Sequence, residues 1–278
     1  MRIVAGLVSL ALVAAHTAAG QTRAIGMANV GTWLRDDDVL FFNPAQLAVA
    51  RGTSVSGESR STRDRDGALS SALAFGKGGI GVGMTLAQQR MPQFFNTPNG
   101  MVPGPDIPIT GTLVAAGIGQ TFKGRRVGVS AKYAASQTGD NRLERGLVDA
   151  GISQDFKRYF TASVVARDIP LNSTALGYHS YRTALGLAAS FPAGPFDVVT
   201  ATDWTVDKSR SLDGAFGAEA SWSWLSGYSM AARTGIFGGD LHGINAGLGF
   251  TRDRVSIDYA FDQRAAGHKG HRLGLRVR

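Results

Sequence analysis

Outside the first twenty residues the bases available for catalysis are His179, His242, His268 and His271, in a chain with no cysteine. Serine hydrolysis needs a nucleophile, a His base and an orienting partner. No histidine accompanies a recognisable Ser motif, and Gly52-Thr-Ser-Val-Ser-Gly57 has the wrong spacing for a nucleophile elbow. His268-x-x-His271 has a spacing that grips metals, but no carboxylate pair lies beside it, so it reads as a solvated loop. Asp36, Asp37 and Asp38 carry the oxygen ligands that calcium prefers. Their plainer roles are to solvate or cap the segment around them, or to pair with arginines. Gly79-Ile-Gly-Val-Gly83 alternates glycine within a strand pattern and opens no helix, so it is not a phosphate loop. No enzymatic activity, cofactor or metal is expected.

A second set of charged residues follows a different logic. In Val127-Gly-Val-Ser-Ala-Lys-Tyr133 the odd positions are apolar and the even ones are Gly, Ser and Lys. Val255-Ser-Ile-Asp-Tyr-Ala-Phe-Asp262 repeats the pattern with two aspartates on the wet face. A period of two sends successive side chains to opposite faces of a strand. If the apolar positions meet lipid, then Arg126, Lys132, Asp149, Arg167, Arg182, Asp203, Glu219, Arg233, Asp258 and Arg272 point inward, together with Asp155, Asp197, Arg254, Asp262 and Arg276. Both signs are present, as they must be where unpaired charge is costly. These charges either close a lumen by pairing among small residues, or line a gated polar or amphipathic path. Frequent Gly and Ala on the same face favour closure.

The elements that must position these residues are strands. About fourteen alternating runs are expected, near 53–60, 67–76, 79–90, 109–123, 126–138, 145–156, 159–168, 179–191, 196–206, 211–222, 227–237, 242–250, 253–263 and 270–278. One set of connections is tight, such as Gly76-Lys-Gly-Gly79, Lys123-Gly-Arg125 and Arg252-Asp253. The other set is longer, above all Met91 to Pro108, with prolines at 92, 98, 103, 105 and 108. Short periplasmic turns opposite longer outer loops are the topology of an outer-membrane barrel. Phe122, Phe156, Tyr159, Phe160, Phe191, Phe196, Trp222, Trp224, Tyr228 and Phe250 fall beside the tight turns, and Tyr178, Tyr181, Trp204, Phe237 and Phe261 near the opposite strand ends. Amphipathic rings collect at the two membrane interfaces.

The amino end supplies an address. Met1-Arg2, an apolar stretch from Ile3 to Ala15 and the small residues Thr17-Ala-Ala-Gly20 predict a signal peptide over 1–20, cut after Ala19 or Gly20. Removing it takes one Arg and no acid from the formal charge of +8, leaving +7. Export and the spread of the cations argue against a nucleic-acid partner. Residues 21–52 differ from the remainder: they hold a small apolar stretch, the three aspartates, and Pro44, which breaks any strand. A plug over 21–52 and a transmembrane barrel over 53–278 are expected.

Gly26-Met-Ala-Asn-Val30, Asp36 to Asp38, and Phe41-Phe-Asn-Pro-Ala-Gln-Leu-Ala48 resemble the amino-terminal signature of the FadL and PorV/PorQ superfamily of outer-membrane barrels. That signature runs as Gly-x-Ala, then acidic residues, then an aromatic with Asn-Pro-Ala-x-Leu. The resemblance implies an all-β, fourteen-stranded barrel with an amino-terminal plug, whose motif here is Phe41, Phe42, Asn43, Pro44, Ala45 and Leu47. In the fatty-acid transport branch the barrel passes hydrophobic molecules inward. In the PorV-like branch it serves secretion and surface attachment. This chain departs in its short outer loops and in ending on Arg278 rather than an aromatic.

The function expected is passage of small hydrophobic or amphipathic molecules across the outer membrane. The partners expected are outer-membrane lipids and a hydrophobic small molecule. The alternative is an accessory barrel that binds secretion-machinery proteins through its loops, for which Phe94-Phe95 is the candidate patch.

Overall fold

The structure, a computed structural model, describes residues 22–35, 37–62, 65–91, 94–97, 100–104, 106–171, 181–207, 211–239, 242–264 and 269–277. The expected signal peptide, Asp36, Tyr178, His179 and His268 lie outside the described residues, as do the side chains of Asp37, Asp38, Phe94 and Phe95.

Alternation builds one sheet that closes on itself. Its strands are β1 (Arg51–Thr62), β2 (Arg65–Lys77), β3 (Ile80–Met91), β6 (Ile107–Phe122), β7 (Arg125–Thr138), β8 (Asn141–Phe156) and β9 (Phe160–Pro170). The second half follows with β10 (Arg182–Ala193), β11 (Phe196–Asp207), β12 (Leu212–Leu225), β13 (Tyr228–Phe237), β14 (Gly243–Arg252), β15 (Val255–Arg264) and β16 (Lys269–Val277). All neighbours are antiparallel, and β1 pairs with β16 from Thr53↔Val277 to Ser61↔Lys269, which closes a barrel of fourteen strands. Closure removes sheet edges, so the spanning backbone pairs within the wall. The proline-rich connection from Met91 to Pro108 holds a small hairpin of its own, β4 (Phe94–Thr97) with β5 (Gly100–Pro103).

The tight turns share one end with the start of β1 and the end of β16. Between β6 and β7 the turn is two residues, Lys123 and Gly124, both with positive φ (48° and 78°). That is the primed geometry matching the twist of paired strands, and glycine adopts it without steric cost.

The two faces separate as alternation requires. Val127, Val129 and Tyr133 are 41%, 48% and 42% exposed on the outside, whereas Ser130 and Lys132 are buried inside. Outward apolar exposure continues around the wall, at Val114, Ile118, Val164, Leu185, Phe216, Leu248, Ile257 and Leu273. Such a surface around a closed barrel suits hydrocarbon, not water. The aromatic ring beside the tight turns points outward, from Phe122, Phe156 and Phe160 to Trp222, Trp224 and Phe250. At the other end Tyr181 and Trp204 are exposed, but Phe237 is not on the outside. It shares the parity of buried Arg233 and Gly235 and packs at the inner rim against Gly243 and Arg264.

The inside of the tight-turn half is occupied by residues 22–50. They form a short helix α1 (Thr22–Gly26) and two 3-10 turns, Asp37–Phe41 and Pro44–Ala48, and the chain enters β1 at Arg51. Helix α1 touches β13 to β16, the first 3-10 turn touches β1, β2, β3 and β6, and the second touches β6, β7 and β8. Met27, Val30, Leu34, Leu40 and Leu47 are fully buried there. Each such side chain contributes roughly 1.5–3 kcal/mol on leaving water.

Candidate functional site

The contact between this segment and the wall gathers most of the residues singled out by sequence. Its first anchor is Asn43-Pro44. Asn43 is extended (φ −155°) and its Oδ1 accepts from the Ala45 N–H at 3.0 Å, capping the turn that Pro44 begins. Proline suits the first helical position, where its missing N–H would have no partner. The Asn43 Nδ2 donates to the Thr32 carbonyl at 2.7 Å and to Ser153 Oγ of β8 at 2.8 Å. Ser153 in turn shares a hydrogen with Ser163 of β9 at 2.8 Å. One buried amide thus ties two parts of the segment to each other and to the wall.

Small wall residues let the backbone come this close. A methyl group built on Gly128 would collide with the Pro44 carbonyl, one on Gly151 with the Asn43 side chain, and one on Gly119 with the backbone of Pro44 and Ala48. Leu47 lies over Gly81 and Gly119 of the wall, whereas Phe42 stacks on Gly31 of the segment itself. Phe41 and Ala45 are buried. The inward glycines therefore serve as seats for the segment, beyond narrowing the lumen.

The second anchor is ionic. Arg23 of α1 grips Glu219 of β12 with two bonds, Nε to Oε2 at 2.9 Å and Nη2 to Oε1 at 2.6 Å. Glu219 also accepts from Arg233 Nε, Arg233 Nη1 donates to Asp258, and Arg276 donates to the other oxygen of Asp258 at 3.0 Å. Signs alternate along this chain of five buried or part-buried groups, which is the arrangement that makes buried charge tolerable. The Arg23 guanidinium also sits 5.4 Å over the Trp33 ring. Nearby, Asn245 Nδ2 donates to the Ile25 carbonyl at 2.5 Å.

Between the anchors, Asp203 of β11 accepts from the Gly31 and Thr32 N–H groups at 2.9 and 3.1 Å and from Thr32 Oγ1 at 2.5 Å. At the mouth, Arg126 binds Asp155 through two bonds of 2.7 Å, and Arg35 reaches the same carboxylate at 2.7 Å. Lys132 and Asp149 pair at 2.5 Å elsewhere in the wall, with Asp168 at 3.2 Å from the same amine. Arg272 is buried, and Arg167 and Arg182 are half-buried on the lumen side.

Strict alternation missed Asp168. A bulge shifts the β8–β9 register after Val148, and Asp168 takes a left-handed backbone (φ 60°) that turns its carboxylate inward beside Arg167. Its N–H donates to Asp149 at 2.8 Å. The uncharged contacts Ser153 and Asn245 carry no sequence signal beyond inward parity, and Thr32, outside any strand, carries none. Alternation also predicts apolar residues outside only, yet Ile109 and Leu113 of β6, Ala134 of β7 and Leu147 of β8 are buried inside. They belong to one apolar cluster with Met27, Val39, Leu40 and Phe42, apart from Ile109, which lies at the same wall.

The tight-turn mouth is a vestibule of about 560 Å³ bordered by Arg23, Trp33, Val49, Asp155, Phe160 and Val199. At the opposite end, His271 shares a 2.7 Å hydrogen bond with the Tyr259 hydroxyl on the outer surface. No cluster of His, Asp and Glu that would hold a metal is present among the described residues.

No protein-family profile and no curated protein matches the sequence. Solved structures do match the fold. The Ralstonia pickettii toluene transporter TbuX aligns with TM-score 0.63 at 11% identity, over 93% of this chain and 98% of that one. The CymD monoaromatic hydrocarbon channel aligns with TM-score 0.56 at 9% identity, over 92% and 95%. A Pseudomonas aeruginosa FadL homologue aligns with TM-score 0.53 at 10% identity, over 92% and 97%. At these identities the likeness is one of architecture: this chain is a closed fourteen-stranded antiparallel barrel of the fold those proteins have.

Proposed function

We propose that this is a FadL-like outer-membrane barrel that passes small hydrophobic molecules, with residues 21–52 acting as a plug on the periplasmic side. The observation that carries the reading is an apolar cluster inside the barrel. Leu113, Ala134 and Leu147 of the wall meet the apolar residues of the segment in one cluster, where a pore for polar solutes would keep a wetted surface. The structural neighbours described as a toluene transporter and a monoaromatic hydrocarbon channel support the same class of passenger. The plug fills the lumen at its own level, so passage requires it to shift, and of its ion pairs with the wall Arg35–Asp155 is the more open to water, with side chains 47% and 36% exposed against 17% and 5% for Arg23–Glu219.

The test is entry into intact cells bearing this barrel in a lipopolysaccharide-containing outer membrane. Full-length protein should speed entry of the apolar dye N-phenylnaphthylamine without admitting a polar β-lactam reporter. Deleting residues 22–50 after the signal peptide should leave an inserted, heat-modifiable barrel that admits both. Unchanged dye entry with the full-length protein would end the transport reading. A deletion variant with unchanged permeability would reduce the segment to a folding clasp.

A further inference from the structure

The outside of the tight-turn rim carries a feature that transport does not use. A cleft of about 540 Å³ lies against Phe250, Arg252, Asp253, Arg254, Val255 and Ile257. Phe250, Val255 and Ile257 are outward residues, 39%, 42% and 49% exposed, so the cleft opens on the surface that faces lipid. It is apolar along the strands and cationic at the turn, the same division that a phospholipid has between its chains and its phosphate.

We propose that this cleft binds an anionic phospholipid, its phosphate held by Arg252 and Arg254 and its chains laid along Phe250 and Ile257. The proposal rests on the reading of the barrel as membrane-spanning. Three observations carry it. First, the cations are available: neither Arg252 nor Arg254 has an ion-pair partner among the described residues, and both are exposed. The intervening Asp253 turns away, its Oδ1 lying over Gly227 of the adjacent turn.

Second, Phe250 of the cleft belongs to a cluster of rings on the neighbouring strands. Trp222 and Trp224 have centroids 5.2 Å apart, Trp224 is 6.4 Å from Phe250, and Tyr228 is 6.4 Å from Phe250. The Arg252 guanidinium sits 5.5 Å over the Tyr228 ring, which fixes its position while leaving donors for a phosphate. Aromatic rings at this height hold the headgroup boundary, so the arginines are presented at the level of lipid phosphates.

Third, the rim is predominantly basic. The tight turns and their flanking residues expose Lys77, Lys123, Arg125, Lys157 and Arg158 besides Arg252 and Arg254, against the acids Asp155, Asp197 and Asp253. A leaflet with net negative charge is the complement of this rim.

The test uses the tryptophans beside the site as reporters. In W204F, Trp222 and Trp224 are the exposed tryptophans among the described residues, and Trp33 is buried in the lumen. The full-length protein is refolded into phosphatidylcholine vesicles containing either brominated phosphatidylglycerol or the same fraction of brominated phosphatidylcholine. Insertion is checked separately by heat-modifiable mobility. Phosphatidylglycerol should quench more strongly. Its preference should fall about fivefold for each arginine removed in R252Q and R254Q, at low salt. R252K/R254K should keep most of the preference, and raising the salt should erode it in the unsubstituted rim. Equal quenching by the two lipids, or a preference that survives R252Q/R254Q, overturns the proposal while leaving the barrel reading intact. Failure to insert into either vesicle would overturn both.

Discussion

The two sides of the lumen hold the same segment by different physics. On the β6–β8 side the grip is steric and neutral. Glycines at 119, 128 and 151 admit the Pro44–Ala48 turn to backbone contact, and the Asn43 amide satisfies its donors and acceptor at once. On the β12–β16 side the grip is ionic, a relay from Arg23 through Glu219, Arg233 and Asp258 to Arg276. A close-packed contact loses everything with a small displacement, whereas an ion pair near a wet vestibule lets water replace one partner. The neutral contact therefore answers to side-chain volume, and the ionic one to charge.

The largest effect is expected at Glu219. Glu219→Ala leaves Arg23 and Arg233 without their shared carboxylate, at a cost of about 3–5 kcal/mol for an uncompensated buried charge. Refolding yield in vesicles should fall accordingly, and Arg23→Ala/Glu219→Ala should recover part of the loss. No recovery would mean that the two residues do not act as a pair.

Next in size is a control on the wall itself. Val129 faces outward between inward Gly128 and Ser130, so Val129→Arg should cost about 2–4 kcal/mol if it lies near the bilayer midplane. Ser130→Arg crowds the lumen instead, and should leave lipid insertion nearer normal while changing permeability. The reverse ranking in a lipid refolding assay would invert the assignment of faces.

Asn43→Ala tests the neutral anchor. It strands the Ala45 N–H, the Thr32 carbonyl and Ser153 without their shared partner, for about 1–3 kcal/mol. Trypsin cleavage at Arg35 and Arg51 in folded protein should become faster. If Asn43→Ala exceeds Glu219→Ala in effect, the neutral contacts hold the segment more strongly than the ionic ones. The smallest expected effect is Arg35→Ala. Its pair with Asp155 joins side chains that are 47% and 36% exposed, and Asp155 keeps Arg126, so the loss should stay within about 1 kcal/mol.

Strand number, facing and the turn end were legible in residues 53–278 because a barrel wall is a local object. A side chain's face follows from its parity, and parity needs only the neighbouring residues. Val127 to Tyr133 and Val255 to Asp262 show this directly, whereas Arg254, expected to point inward, stands exposed in the turn before β15. The readings weakened where one residue breaks the count. Asp168 turned inward through a bulge that no pattern of two anticipates, and Phe237 landed on the inner rim although it stands at the height of an interface ring.

What the sequence determined by itself, then, was the wall: alternation, tight turns and aromatic heights are short-range consequences of residue order. The Asn-Pro turn was also there to be read, since Pro44 and Asn43 carry their preferences locally. Which wall residues meet the segment was settled only in three dimensions. Arg23 and Glu219 are separated by 196 positions, Gly31 and Asp203 by 172, and Asn43 and Ser153 by 110. Nothing in a strand's own pattern records which residue will stand across a closed lumen, because that depends on the curvature and closure of all fourteen strands together.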